Sequence, residues 1–284
     1  MQFRYDFAIS ELLLRVESPR EIRIPDNFRA FLRESPSAQS PDIILHFLFQ
    51  PDFDQDIGMK RQESLLRNFP NPVKIGLGNG EYILRQDSSG RGFPCRIFIP
   101  PSFADTFCEK GNWLLYLDLA GMMLSFDRFF LHASAVIYRG KAYLFSAPSG
   151  GGKSTHADLW QHHFGAKLLN GDKVLVEVRD GQCIAHGSPV SGSSGIYERD
   201  SAPIAAVYLL KKEKENRIIP VSTKNAYMAL YSEAIKDKKD PAFNGKLLDL
   251  IEKMLTCVPV RTLACLPEKS AVACVLQKEE GMKP

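Results

Sequence analysis

The stretch "LFSAPSGGGKSTHADLW" (residues 144–160) constrains this chain more than any other. An apolar, β-prone run ends at Gly150, Gly151 and Gly152. Lys153, Ser154 and Thr155 then open a segment in which Ala157, Trp160 and Phe164 recur at i, i+3 and i+7, one face of a helix. A strand that turns through glycines into a helix suits phosphate binding. Glycines let backbone N–H groups turn inward around an anion, and the helix start adds its positive end. The general pattern G-x-x-x-x-G-K-[ST] is filled in its second half by Gly152-Lys153-Ser154, whereas Ala147 stands where its first glycine belongs. An alanine in β conformation is tolerated there, and one forced to positive φ is not. On this reading Lys153 reaches the β- and γ-phosphates of a nucleotide and the Ser154 hydroxyl helps hold Mg²⁺. The plainer alternative is a glycine turn ahead of a helix.

Two further residues bear on the choice. "LLNGDKV" places Asp172 at a strand end shortly after the loop's helix. A carboxylate beside a phosphate loop fits a metal or general-base role, although Asn170-Gly171 is also a strong hairpin signal. His132 interrupts the apolar run "FFLHASAVIY" just before the strand that leads into the loop. It reads either as a core histidine or as a site residue. His156 lies one turn into the helix, within reach of a phosphate, while His162 and His163 read as surface residues.

The surroundings predict an α/β protein of mixed α+β character with two domains, 1–125 and 126–284. The first holds short strand candidates ("RYDFAI", "DIILHFLF", "EYILRQ", "CRIFIP") and reads as a small, mainly β domain ending in an apolar helix over 113–126. In the second, "KAYLFSA", "KLLNGDKVLVEV", "CIAHGSPV" and "IAAVYLLKK" read as strands, with Asp180-Gly181 a two-residue hairpin turn. Helices follow at "STKNAYMALYSEAI", capped by Ser222 or Thr223, and at "KLLDLIEKMLTCV". A last strand ("VRTLACL") and helix close the chain. A net charge of +3 and no basic stripe interleaved with aromatics argue against nucleic acid. The most apolar segment is short and contains Asp118, which argues against a membrane span. No signal peptide is evident, and the six scattered cysteines form no C-x-x-C pair, so a reducing, cytoplasmic setting is expected.

Taken together, "LHASAV", "SAPSGGGKST", "LLNGDKV" and "HGSPVSG" resemble the HPr kinase/phosphorylase and phosphoenolpyruvate carboxykinase superfamily, in an uncharacterised bacterial branch. The resemblance covers about residues 129–210 and implies a P-loop core behind the small N-terminal domain. In that superfamily the loop is written S-G-x-G-K-[ST], which Ser149, Gly150, Gly151, Gly152, Lys153 and Ser154 satisfy, so Ala147 loses its importance. The resemblance implies that Ser149 to Thr155 bind ATP and that Ser154 and Asp172 hold Mg²⁺. It also matches His132 to a histidine near the metal. An Asp-Asp pair usually follows the loop's helix. Here Gly171 replaces its first member, and Asp172 matches the second.

The expected function is an ATP-dependent kinase that transfers the γ-phosphoryl group to a hydroxyl, serine above all, of a peptide, protein or small molecule. Lys153, Asp172 and His132 would carry the chemistry. The alternative is a non-catalytic nucleotide-binding sensor of the same fold, favoured by Gly171. Self-association is expected by resemblance. Tyr197, Glu198 and Arg199, after the polar loop "GSPVSGSSG", are candidates to face a substrate. Arg217 is a candidate phosphate clamp or part of a solvated charge run.

Overall fold

The computed structural model describes residues 2–35, 37–49, 73–78, 81–86, 93–111, 113–192, 195–237 and 240–280. The chain divides into two compact units, Met1–Leu119 and Ala120–Pro284.

The first unit is built on a six-stranded sheet in the order β1-β2-β3-β6-β5-β4, formed by Phe3–Ile9, Leu12–Ser18, Ile43–Phe49, Val73–Gly76, Tyr82–Gln86 and Phe93–Ile99 as β1 to β6. Ser10 and Glu11, both at positive φ, make the two-residue turn that joins β1 to β2. β2, β3 and β6 are parallel neighbours. The strand "LLLRVES" (β2) and the short "VKIG" (β4) are absent from the sequence reading. β2 is buried along nearly its whole length and so lacks the polar alternation that marks a half-exposed strand. Helices α1 (Asp26–Arg29) and α2 (Pro101–Lys110) belong to this unit. An aromatic cluster fills its core: Phe28 packs against Phe7 and Trp113, and Phe47 meets Phe107 edge-on. The helix expected over 113–126 is two pieces, a 3₁₀ turn at Trp113–Tyr116 and α3 at Leu119–Leu124. The Trp113 indole N–H donates to the Arg23 carbonyl, and Asp118 pairs with Arg85 at 3.6 Å, so both ends of the break are held by tertiary contacts.

In the second unit, β7 (Arg128–Tyr138) and β8 (Lys141–Ser146) form a hairpin that leads into α4 (Lys153–Phe164). β9 (Lys167–Asn170), β10 (Lys173–Arg179), β11 (Gln182–His186), β12 (Ser201–Lys212) and β13 (Arg217–Pro220) follow. Next come α5 (Thr223–Glu233), α6 (Pro241–Cys257), β14 (Val260–Cys265) and α7 (Lys269–Glu280). The eight strands share one sheet, and its pairings β7–β8–β12–β11–β10–β7 close a circuit. β8, β12 and β14 run parallel. Both faces of the central strands are buried. Leu144 and Val207 pack with Leu230, Leu250 and Met254 from α5 and α6. Tyr143, Phe145 and Tyr208 pack with Trp160 and Val275 from α4 and α7. Burial on two faces accounts for the continuous apolar runs of these strands.

Three sequence expectations are refined here. Ser222, not Thr223, caps α5 by accepting from the Asn225 N–H. "KLLNGDKVLVEV" is two strands, β9 and β10, both lying along β7 and broken at Gly171 and Asp172. The Asn170 side chain makes the break: its Oδ1 accepts from the Asp172 and Lys173 N–H groups. Arg217 opens β13, where Ile218 and Ile219 pair with β14, so the charge run ends in a strand. All six cysteines are free thiols. No helix among the described residues is long and apolar enough to cross a membrane.

Candidate functional site

The glycine loop leaves β8 at Ser146 and enters α4 at Lys153. Each of its glycines is required for a stated reason. Gly150 and Gly152 have φ of 74° and 96°, a backbone region that costs other residues about 1 kcal/mol or more. At Gly151 a Cβ would stand 2.5 Å from the Ala147 Cβ and 2.8 Å from the Pro148 oxygen. Ala147 itself is buried and is not among the residues with positive φ. It therefore occupies the first position of the loop without strain, and its methyl group fills the space under Gly151.

Gly152 is the N-cap of α4 and brings no side-chain cap to the helix's first N–H groups. Uncapped N–H groups at a positive helix end attract an anion. The first turn is anchored from below, where the Ser134 hydroxyl of β7 donates to the Lys153 carbonyl at 2.8 Å. Lys153 is buried, and its ammonium donates to the Ala147 carbonyl at 2.7 Å and less closely to that of Pro148. Burial pushes the Lys153 pKa down, and the Asp172 and Glu233 carboxylates oppose that shift. A phosphate would answer the same need for negative charge at closer range.

Asp172 sits in the break between β9 and β10, opposite Ala133, whose N–H donates to its carbonyl. Its Oδ1 lies 2.8 Å from His132 Nε2, and His132 Nδ1 lies 3.0 Å from Glu233 Oε2. Gly192 closes over Asp172: a Cβ there would fall 2.1 Å from Asp172 Oδ2. The buried Asn170 holds this neighbourhood together, its amide donating to the Val190 carbonyl at 3.1 Å. Ser193 and Ser194 of the same polar loop lie outside the described residues.

These parts surround one cavity of about 840 Å³. Ser149 to His156 form one wall, and His132, Gly171 and Asp172 form a second. The ends of β12 and β14, with Lys211, Lys212 and Leu266, form the third. The cavity thus opens at the carboxyl ends of the parallel strands β8, β12 and β14. Among the described residues no group of three or more His, Cys, Asp or Glu is arranged to hold a metal unaided. Magnesium does not need such a cage, because it is commonly held by one or two carboxylates together with substrate phosphates and water. The Ser154 hydroxyl and the Asp172 carboxylate, both lining the cavity, fit that arrangement.

The structure therefore brings His132, Ser149 to Thr155 and Asp172 to one cavity. His156 lines the same wall, but its ring is turned inward. It is buried, its ring lies 4.4 Å from that of Phe145, and its Nε2 accepts from the Trp160 indole at 3.3 Å. Burial lowers its pKa to about 4, so at neutral pH it is an uncharged core group. Tyr197, Glu198 and Arg199 do not line the cavity. Tyr197 bridges to Asn170, and the Glu198 N–H donates to Leu169. Arg217 does not line it either. His162 and His163 are exposed. Glu233 is the residue that sequence reasoning missed. It is separated from His132 by 101 residues and carries no motif, so no local signal marks it.

No protein-family model matches the chain. No curated protein matches it either. Among solved structures the chain is similar to the Hpr(Ser) kinase/phosphatase from Coxiella burnetii. The identity is 13% over 54% of this chain and 97% of that one, with a TM-score of 0.32.

Proposed function

We propose that this chain is an ATP-dependent phosphotransferase with a P-loop core of the HPr kinase/phosphoenolpyruvate carboxykinase type. It passes the γ-phosphoryl group to a hydroxyl of a peptide, protein or small molecule. The observation that carries the reading is the meeting of three things at one cavity: an uncapped helix start behind a glycine loop, a buried lysine, and a carboxylate held by a histidine. The loop N–H groups and Lys153 would bind the phosphates and stabilise charge on the transferring group. Ser154 and Asp172 would hold magnesium, which supplies neutralisation of the phosphate charge. Asp172 would orient the acceptor hydroxyl and take its proton as the new O–P bond forms and ADP leaves. The test is transfer of label from γ-labelled ATP, with Mg²⁺, to an acceptor in a cell extract. Transfer that Asp172→Asn abolishes supports the reading, and absence of transfer to any acceptor rejects it.

A second reading, a nucleotide sensor without transfer, draws on a different observation. The Lys153 ammonium is engaged by loop carbonyls and Asp172 Oδ1 by His132, so the site satisfies itself. Tight binding of Mg–ATP with neither hydrolysis nor transfer selects this alternative.

A further inference from the structure

We propose that Glu233 is a positioning residue of this site: it holds the His132 ring so that Nε2 stays on Asp172. The inference rests on the phosphotransferase reading and adds a residue to it. A ring with one fixed contact can rotate, and a histidine is oriented by what its second nitrogen meets. Here that partner is Glu233 Oε2, 3.0 Å from Nδ1.

The placement is built by the backbone. β10 occupies one edge of β7 at Leu131, and β8 covers the other edge only from Ala133 onward. The chain leaving α5 takes the uncovered place: Ala234 bridges to Leu131, and the Ile235 N–H donates to the Phe130 carbonyl at 3.0 Å. This pins the last helical residue, Glu233, beside His132. The break at Gly171 and Asp172 carries a single carboxylate, and α5 delivers a second one to the same histidine from the far side.

The His132, Asp172 and Glu233 side chains keep 29%, 22% and 17% of their exposure, so water screens part of what the contacts contribute to folding. What the contact does fix is direction. Partners that orient a metal-ligating histidine through its second nitrogen typically change affinity or activity by about 10- to 100-fold when removed, and an effect of that order is expected here.

The test combines kinetics with a spectroscopic signature, using the full chain, Mg–ATP and the extract acceptor. Glu233→Ala lowers the maximal transfer rate by about 10- to 100-fold, with KM for ATP changed by less than about threefold. Glu233→Gln, which keeps an oxygen for Nδ1–H, retains most of the rate. In a His132→Asn background Glu233→Ala has no further effect, because its action runs through His132. Independently of activity, NMR of ¹⁵N-histidine-labelled protein identifies the His132 ring nitrogens by their absence in His132→Asn. Glu233→Ala shifts the Nδ1 signal. Wild-type rate in Glu233→Ala, equal loss in Glu233→Gln, or added loss in the His132→Asn background overturns the proposal, as does an unchanged Nδ1 signal. If the wild-type protein transfers nothing, the phosphotransferase reading fails and the NMR shift alone decides whether Glu233 orients His132.

Discussion

The second unit contains two clusters in which histidine meets carboxylate, and they differ in what surrounds them. In the first, Glu177 accepts from Arg128 at 2.8 Å through one oxygen and meets His186 at 2.8 Å through the other. All three side chains are at most 7% exposed. In the second, His132 stands between Asp172 and Glu233 at the edge of a cavity, with the Lys153 ammonium beyond. The first places one carboxylate between a guanidinium and an imidazole and seals it. The second places a ring between two anions and leaves it open to whatever enters the cavity. Nearly the same residue types therefore make a sealed joint in one place and a cavity wall in the other, according to their partners and access to solvent.

Substitutions separate the two roles. The largest effect on folding is expected at the sealed cluster. Glu177→Ala removes the carboxylate partner of the buried Arg128 guanidinium and should cost about 3–5 kcal/mol in denaturant unfolding. Nucleotide affinity should be unchanged, because Glu177 does not line the cavity. A loss under about 1 kcal/mol would erase the distinction. At the open cluster Asp172→Asn should leave the unfolding midpoint nearly unchanged while lowering phosphoryl transfer by about 10²- to 10³-fold.

A third histidine sharpens the contrast, since His156 packs against Trp160 and Phe145 rather than a carboxylate and is almost wholly buried. Its folded pKa of about 4 lies below the unfolded value, so the unfolded chain binds more protons between these two values. The contribution of neutral His156 is complete above about pH 6.5 and is lost as pH falls toward 4. About 3 kcal/mol should disappear over that window. Unfolding measured from pH 7 to pH 4 checks this, and His156→Gln should flatten the profile. The smallest effect is expected at the lid of the open cluster. Gly192→Ala places a methyl group against Asp172 Oδ2 at a φ of 55°, and should reduce transfer by about tenfold for about 1–2 kcal/mol of stability. Equal losses in transfer and stability would mean that Gly192 matters only for folding.

Much of this is legible without coordinates, and the reasons differ by residue. The strand–loop–helix unit is legible because Gly150 to Ser154 impose their backbone on one another over a few residues. The Asp180-Gly181 hairpin is legible for the same reason. β2 and β13 are harder to read: one is buried nearly throughout, and the other is two isoleucines behind a charge run. Asn170 reads as half of a hairpin signal. Its actual work, capping the break that presents Asp172, depends on β9 and β10 lying along the same neighbour. By its place in the first turn His156 could approach a phosphate, a minor reading of the sequence, and the packing of Phe145 and Trp160 turns its ring into the core.

What the sequence by itself determined is the local chemistry: a glycine loop ahead of a helix, a lysine and a serine at the helix start, a histidine in a strand, and an aspartate in a turn. These follow from backbone preferences that act within a few residues. Only the tertiary structure decided which of them meet. His132 finds Asp172 because β7 pairs with β10, and it finds Glu233 because the chain leaving α5 fills the edge that β8 leaves open. Proximity between residues 101 positions apart is a property of strand pairing and helix packing, and no short segment encodes it.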